Sequence, residues 1–313
     1  MVKSVALTGA TGFIGRHLVE SLLAAGLQVR ALCRHPEKAR LPAGVTVIEG
    51  ALENDASLAR LVEGADALVH CAGLIKAAAS KDLHRVNANG TARLVQACAL
   101  QPRPPRLIFL SSLAARHPEL SDYAASKRRA EEELAQQAKG VHWIALRPPA
   151  VYGPGDRETF QLFRLLRHGL LPTPALESAR ISLIYVEDLC EAIGTLLSAS
   201  IESGSLFEIR DACEEGYSWR AVAEAGGRHI GRKITCVPVP RSLMRAAAVA
   251  NHSLSRITGH VPRISPGKVR ELYHDDWVCR DNPLTRLSPW RPKVGLDEGM
   301  RLTLNWYEDH RWL

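Results

Sequence analysis

The stretch Val5-Ala6-Leu7-Thr8-Gly9-Ala10-Thr11-Gly12-Phe13-Ile14-Gly15 constrains this chain more than any other. An apolar run ends in glycines, and a helical pattern follows at once through Phe13, Ile14, Leu18, Val19, Leu22 and Leu23. The order is strand, tight turn, helix, with the spacing Gly-x-x-Gly-x-x-Gly. Gly9 lets the chain leave the strand sharply, Gly12 lets backbone approach a pyrophosphate, and Gly15 lets the helix lie close on the sheet. The helix start, with Thr11, Phe13 and Ile14 around it, offers open N–H groups and a partial positive charge to phosphates. A bare glycine pattern also fits a plain strand-to-helix turn, but here a strand precedes it and a helix follows, as a nucleotide site requires.

Apolar runs at 28–33, 45–48, 67–70, 107–110 and 143–146 read as further strands, with helical patterns at 57–62, 82–100 and 123–138 between them. Such alternation means parallel βαβ units with right-handed crossovers. Ligands of these sheets bind beyond the carboxyl ends of the strands. Gly9, Arg34, Ala72, Ser112 and Pro148 sit at those ends and are expected to line one edge. Past about residue 155 the alternation fades into short strands (181–183, 206–209) and helices (187–198, 219–225, 241–257). The expected fold is α/β: a Rossmann-like, doubly wound parallel sheet over 1–155, with sheet contributions from about 181–210. A smaller, interleaved α/β substrate-binding lobe over 156–313 completes it.

Seven scattered cysteines with no Cys-x-x-Cys argue against zinc and against a disulfide framework, so no metal site is expected. A strand near the N-terminus and the lack of an 18-residue apolar run lead us to expect a cytoplasmic protein without signal peptide or membrane span. The net charge of +7 is uneven: 225–270 holds nine Lys/Arg (Arg228, Arg232, Lys233, Arg241, Arg245, Arg256, Arg263, Lys268, Arg270) and no acid. A solvated basic face accounts for it. So does a surface for an anionic substrate group, an acidic partner or a peripheral membrane contact. No aromatic residue is interleaved, which argues against nucleic acid. The composition leaves room for a homodimer.

The chemistry sits in Tyr123-Ala-Ala-Ser-Lys127 and in Ser111-Ser112, eleven residues before the tyrosine. Residues four apart share one helix face. A phenol, an ammonium and a hydroxyl together suit hydride transfer: Tyr123 moves the proton on a substrate oxygen, Lys127 favours the phenolate, and Ser112 orients the same oxygen.

With these motifs together the chain resembles the extended short-chain dehydrogenases/reductases, the NAD(P)-dependent epimerase/dehydratase family. The likeness rests on Thr8–Gly15, Asn87–Thr91, Ser111-Ser112, Tyr123/Lys127 and Arg147-Pro148-Pro149-Ala150-Val151-Tyr152-Gly153-Pro154. It continues through Pro289-Trp290-Arg291-Pro292, Glu298-Gly299 and Trp306-Tyr307. The resemblance implies that Ser112 is the catalytic serine, that Pro148 to Val151 pass beside a nicotinamide, and that Lys127 also holds the nicotinamide ribose. Ala72 and Leu52 fall at cofactor positions of the pattern. Where the family usually has an acid beside adenine, this chain has Ala51-Leu52. Ala150 replaces the asparagine of nucleotide-sugar members, which tilts the likeness toward dihydroflavonol reductases and 3β-hydroxysteroid dehydrogenases. Ala150, Tyr152 and Tyr185 are the candidate substrate contacts, and Asp188 reads as a helix-start anion.

Cofactor choice follows from charge. An acid at the end of the second strand would repel a 2′-phosphate. Here that end reads Cys33-Arg34-His35, with Lys38 close by, so NADP is expected, with NAD as the alternative. The leading reading is an NADP-dependent oxidoreductase for a small, mostly hydrophobic carbonyl or alcohol. A nucleotide-sugar epimerase/dehydratase and a non-enzymatic NADP-binding sensor or assembly factor remain as alternatives.

Overall fold

A strand covered by helices on both faces must be apolar along its length, and the chain supplies several such runs. The computed structural model describes residues 2–258, 261, 262 and 264–313. In chain order its elements begin with β1 (Ser4–Thr8), α1 (Phe13–Ala24), β2 (Gln28–Cys33), β3 (Val45–Glu49), α2 (Asp55–Val62), β4 (Ala67–His70), α3 (Ser80–His84), α4 (Gly90–Ala99), β5 (Arg106–Leu110), α5 (Asp122–Gln137) and β6 (Trp143–Arg147). They continue with β7 (Ala150–Tyr152), α6 (Phe160–Arg167), β8 (Leu170–Pro174), β9 (Arg180–Ile181), β10 (Leu183–Tyr185), α7 (Val186–Leu196) and β11 (Ser205–Glu208). The last are α8 (Trp219–Ile230), β12 (Thr235–Val239), α9 (Arg241–Thr258), α10 (Pro266–Leu272), β13 (Asp276–Trp277), α11 (Leu284–Leu287) and α12 (Leu296–Asp309).

Seven strands form the main sheet in the order β11-β6-β5-β4-β1-β2-β3. Strands β1 to β6 pair in parallel, with Thr8 beside Leu32 on one side and His70 on the other. Strand order reverses between β1 and β4, so the crevice of a doubly wound sheet opens beyond Thr8 and His70. One core cluster includes Leu58, Leu61, Leu68, Leu94, Leu107 and Phe109. The helix expected at 82–100 is interrupted: a π turn over Arg85–Asn89 separates α3 from α4.

The chain divides into two units. The first is 1–147 with 190–207 and 283–290; the second is 148–189, 208–282 and 291–313. The first stretch thus stops at Arg147 rather than near 155, because β7 pairs with β10 and not with the main sheet. The second unit has three parallel two-stranded sheets, β7–β10, β8–β12 and β9–β13. Phe163, Leu166, Leu171, Val222, Met300 and Tyr307 form its core. The strand expected at 181–183 is split at Ser182 into β9 and β10. α9 is attached through a small cluster of Ala248, Val269 and Tyr273. The side chains of Arg256 and Ile257, and Arg263 altogether, lie outside the described residues. Among the described residues no helix is long and apolar enough to cross a membrane.

Candidate active site

The turn after β1 can be built only with glycine at two points. Gly9 has φ +79°, and a Cβ on it would stand 2.7 Å from Ala72 N. A Cβ on Gly15 would stand 2.0 Å from Gly9 O, so α1 could not approach the sheet. Gly12 caps α1 in an extended conformation with no side chain on the first N–H groups. Thr11 and Gly12 are exposed, with Phe13 and Ile14 half-buried behind them. The result is a backbone cradle whose open N–H groups suit a dinucleotide pyrophosphate. At the end of β2, Arg34 and Lys38 are exposed, and it is His35 that pairs with Glu37 (3.5 Å). Leu52 is buried; a Cβ on Gly90 would stand 2.9 Å from its Cδ1, so Leu52 belongs to the core at the rim of this edge.

The two serines after β5 part company. Ser111 is buried and donates to Glu131 Oε1 (2.5 Å). Ser112 is half-buried and caps the following 3₁₀ turn, its Oγ accepting the Ala114 N–H at 3.2 Å, which leaves its own proton to donate. Two short 3₁₀ turns, Leu113–Arg116 and Pro118–Leu120, fill the loop to α5. Ser121 caps α5 through Ala124 N (3.0 Å), placing Tyr123 in the first turn, where the helix dipole favours negative charge.

Lys127 is buried one turn on. Its Nζ donates to Leu110 O (2.6 Å) and lies 4.6 Å over the Phe109 ring. This bond ties α5 to the end of β5, two residues before Ser112. Burial lowers the ammonium to about 8, against an opposing pull from Glu131. Glu131, one more turn along the same face, takes both forks of Arg147: Nε to Oε1 at 2.8 Å and Nη2 to Oε2 at 2.6 Å.

Asn87, delivered by the π turn, joins three segments. Its Oδ1 accepts Leu74 N (2.7 Å), and its Nδ2 donates to Leu74 O (2.9 Å) and to Ser126 Oγ (2.9 Å). Ser126 Oγ in turn donates to Tyr123 O (2.7 Å). Asn87 therefore holds the first turn of α5 against the loop after β4, a supporting position rather than a reacting one.

Sequence reasoning missed His70. It is fully buried between Thr8 Oγ1 (2.7 Å at Nδ1) and Thr91 Oγ1 (3.0 Å at Nε2). Thr91 Oγ1 donates to Asn87 O (2.6 Å), and Thr8 Oγ1 accepts Ala72 N (3.2 Å). One tautomer satisfies all four bonds: Nε2–H donates to Thr91 and bare Nδ1 accepts from Thr8. Burial, with Lys127 nearby, lowers the imidazole to about 3, so it stays neutral. The chain of bonds locks the ends of β1 and β4 to the π turn.

In the second unit Pro148 is buried, Val151 half-buried and Ala150 exposed. Tyr152 and Tyr185 are 3% and 1% exposed and meet edge-on, with ring centroids 5.7 Å apart. Packing accounts for both rings, which corrects their reading as substrate contacts. The Tyr152 hydroxyl also explains Gly299: a Cβ there would stand 2.0 Å from it. Asp188 lies in the first turn of α7 as expected, but its carboxylate is spent on the N–H groups of Lys293 (3.0 Å) and Val294 (2.9 Å).

The model of the NAD dependent epimerase/dehydratase family matches residues 5–209. The chain belongs to that family. It is an NAD(P)-dependent oxidoreductase or epimerase of the extended short-chain type, and the glycine cradle fits the cofactor the family uses. The chain is 37% identical over 314 residues to a ceramide reductase of Caulobacter vibrioides, covering 99% of this chain and 96% of that one. It is 25% identical over 332 residues to a 2-alkyl-3-oxoalkanoate reductase of Stenotrophomonas maltophilia, covering 95% and 97%. Among solved structures it is similar to the UDP-glucose 4-epimerase of Thermus thermophilus in complex with NAD: TM-score 0.71, 27% identity, 97% and 99% covered.

Proposed function

We propose that this family member is an NADP(H)-dependent reductase for a ketone on a long-chain lipid of the ceramide type. The observation that carries the reading is the 37% identity to a ceramide reductase along 99% of the chain. The relative named for 2-alkyl-3-oxoalkanoates points to the same chemistry, a ketone flanked by alkyl chain. Ala150 supports it from the sequence side: an exposed methyl stands where nucleotide-sugar enzymes of the resemblance carry an amide.

The cofactor, when bound, supplies the hydride to the carbonyl carbon. Tyr123 gives its phenolic proton to the carbonyl oxygen, so the ketone gains one hydride and one proton and leaves as an alcohol. Lys127, an ammonium below about pH 8, stabilises the phenolate left behind. Ser112 donates its hydroxyl proton to the same oxygen and fixes its direction. Asn87 and Glu131 hold α5 and Ser111 so that these three groups keep their places.

The test is consumption of the reduced cofactor with the ketone that corresponds to a ceramide's secondary alcohol, alongside epimerisation of UDP-glucose. Turnover of the lipid ketone is expected. Turnover of UDP-glucose in its absence overturns the reading.

Cofactor preference has its own test. Arg34 and Lys38 at the end of β2 favour a 2′-phosphate by charge, and Arg34 can pair with it bidentately. NADPH is expected to bind more tightly than NADH, and Arg34→Asp to reverse the order, as measured by titration of each. Equal affinities in the unmodified protein contradict the assignment.

A further inference from the structure

We propose that α9 docks this enzyme on an anionic lipid bilayer, its exposed apolar stripe entering the interfacial layer beside arginines that meet lipid phosphates. Leu243, Ala247, Ala250 and Leu254 recur at i, i+4, i+7 and i+11, a single face of a helix. All four are exposed, the two leucines by 62% and 58%. The opposite face carries the attachment: Ala248 and Ser255 are buried, and Met244 packs on Val269 and Tyr273. The leucines are therefore not a core stripe that lost its partner. The helix is already seated through another side.

Charge selects the occupant. α9 has no acidic residue, and none occurs anywhere from 225 to 270. Part of the basic block is spent within the second unit: Arg228 binds Asp297 (2.5 Å), Lys268 binds Glu271 (3.0 Å), and Arg232 donates to Arg167 O (3.0 Å). Arg241 and Arg245, one turn apart at the start of α9, have no acidic partner among the described residues. An exposed apolar stripe beside unpaired arginines on one helix is the composition of an interfacial element. An anionic bilayer satisfies both halves at once. The proposal rests on the lipid-reductase reading for its purpose, since a ceramide-type ketone resides in a bilayer.

The experiment is co-sedimentation with vesicles of phosphatidylglycerol and phosphatidylcholine, against phosphatidylcholine alone, at low and high salt. The unmodified protein is expected to bind the anionic vesicles at low salt. Arg241→Glu with Arg245→Glu is expected to weaken this by at least about tenfold. Leu243→Ser with Leu254→Ser is expected to weaken it at both salt concentrations. Each variant is checked for unchanged turnover of a detergent-dispersed ketone, which shows that it is folded. No binding by the unmodified protein, or undiminished binding by both variants, overturns the proposal. So does a dimer in sedimentation velocity that Leu243→Ser with Leu254→Ser dissociates, because a second copy then covers the stripe. Vesicle binding without lipid-ketone turnover would refute the substrate reading and leave docking intact; turnover without binding would do the reverse.

Discussion

Tyr123→Phe lowers kcat by about 10²–10⁴-fold and leaves NADP(H) affinity nearly unchanged. The substitution removes one oxygen and keeps the ring, so the packing of the first turn of α5 survives. That turn is held independently of the phenol, by the Ser121 cap and by the Asn87–Ser126–Tyr123 backbone link. What disappears is the group that exchanges a proton with the substrate oxygen. Solvent can replace it only poorly, because Ser112 orients the oxygen toward the lost phenol. Lys127→Met makes the contrast. It removes the buried ammonium and its bond to Leu110 O, which joins α5 to β5. Both turnover and cofactor affinity are then expected to fall, since Lys127 is assigned to the nicotinamide ribose as well. Steady-state kinetics with fluorescence titration of NADPH separates the two variants. Near-normal kcat in Tyr123→Phe removes Tyr123 from the chemistry.

The features legible in the sequence are those where spacing itself encodes geometry. Gly9, Gly12 and Gly15 describe a turn whose steric reasons reappear as contacts of 2.0 to 2.7 Å for any added Cβ on Gly9 or Gly15. Tyr123 and Lys127 announce a shared face by being four apart. The seventh strand is legible as a short apolar run near 206–209, and it joins the sheet as β11.

The features that stay hidden lack such a signature. Nothing in Arg85-Val-Asn-Ala-Asn89 distinguishes a π turn from an ordinary helix, yet that extra width carries Asn87 inward. His70 is one polar residue closing an apolar strand, and only the strand order shows that Thr8 lies beside it. Pro172, Pro174 and Pro238 mask two strands, because proline cannot donate to a ladder. β8 and β12 are a two-stranded sheet with no central strand, and there proline is tolerated. The basic block looks uniform in sequence because the acid that holds Arg228, Asp297, is 69 residues away.

Glu131 is the most consequential of the hidden residues. In Lys127-Arg-Arg-Ala-Glu-Glu-Glu133 it reads as one charge on a solvated helix face, and Arg128 and Arg129 are indeed exposed. Glu131 alone of the three glutamates is buried. It stands four residues after Lys127 and eight after Tyr123, so the α5 face that carries the chemistry ends in this carboxylate. Its two oxygens hold the buried Arg147 bidentately and accept the Ser111 hydroxyl. Glu131→Ala leaves that guanidinium buried and uncompensated, with an expected loss of about 3–5 kcal/mol in stability. Glu131→Met with Arg147→Met removes both charges and is expected to lose less than Glu131→Ala alone. Glu131→Gln keeps the shape and separates the electrostatic part. Without the negative charge that opposes burial, Lys127 falls further below its value of about 8. The alkaline limb of the kcat profile then moves to lower pH, which a purely structural role would not produce. Denaturant midpoints for the three variants and pH profiles for Glu131→Gln measure both effects. A Glu131→Ala protein as stable as the unmodified one would show that the Ser111–Glu131–Arg147 cluster does not hold the end of β5 to α5.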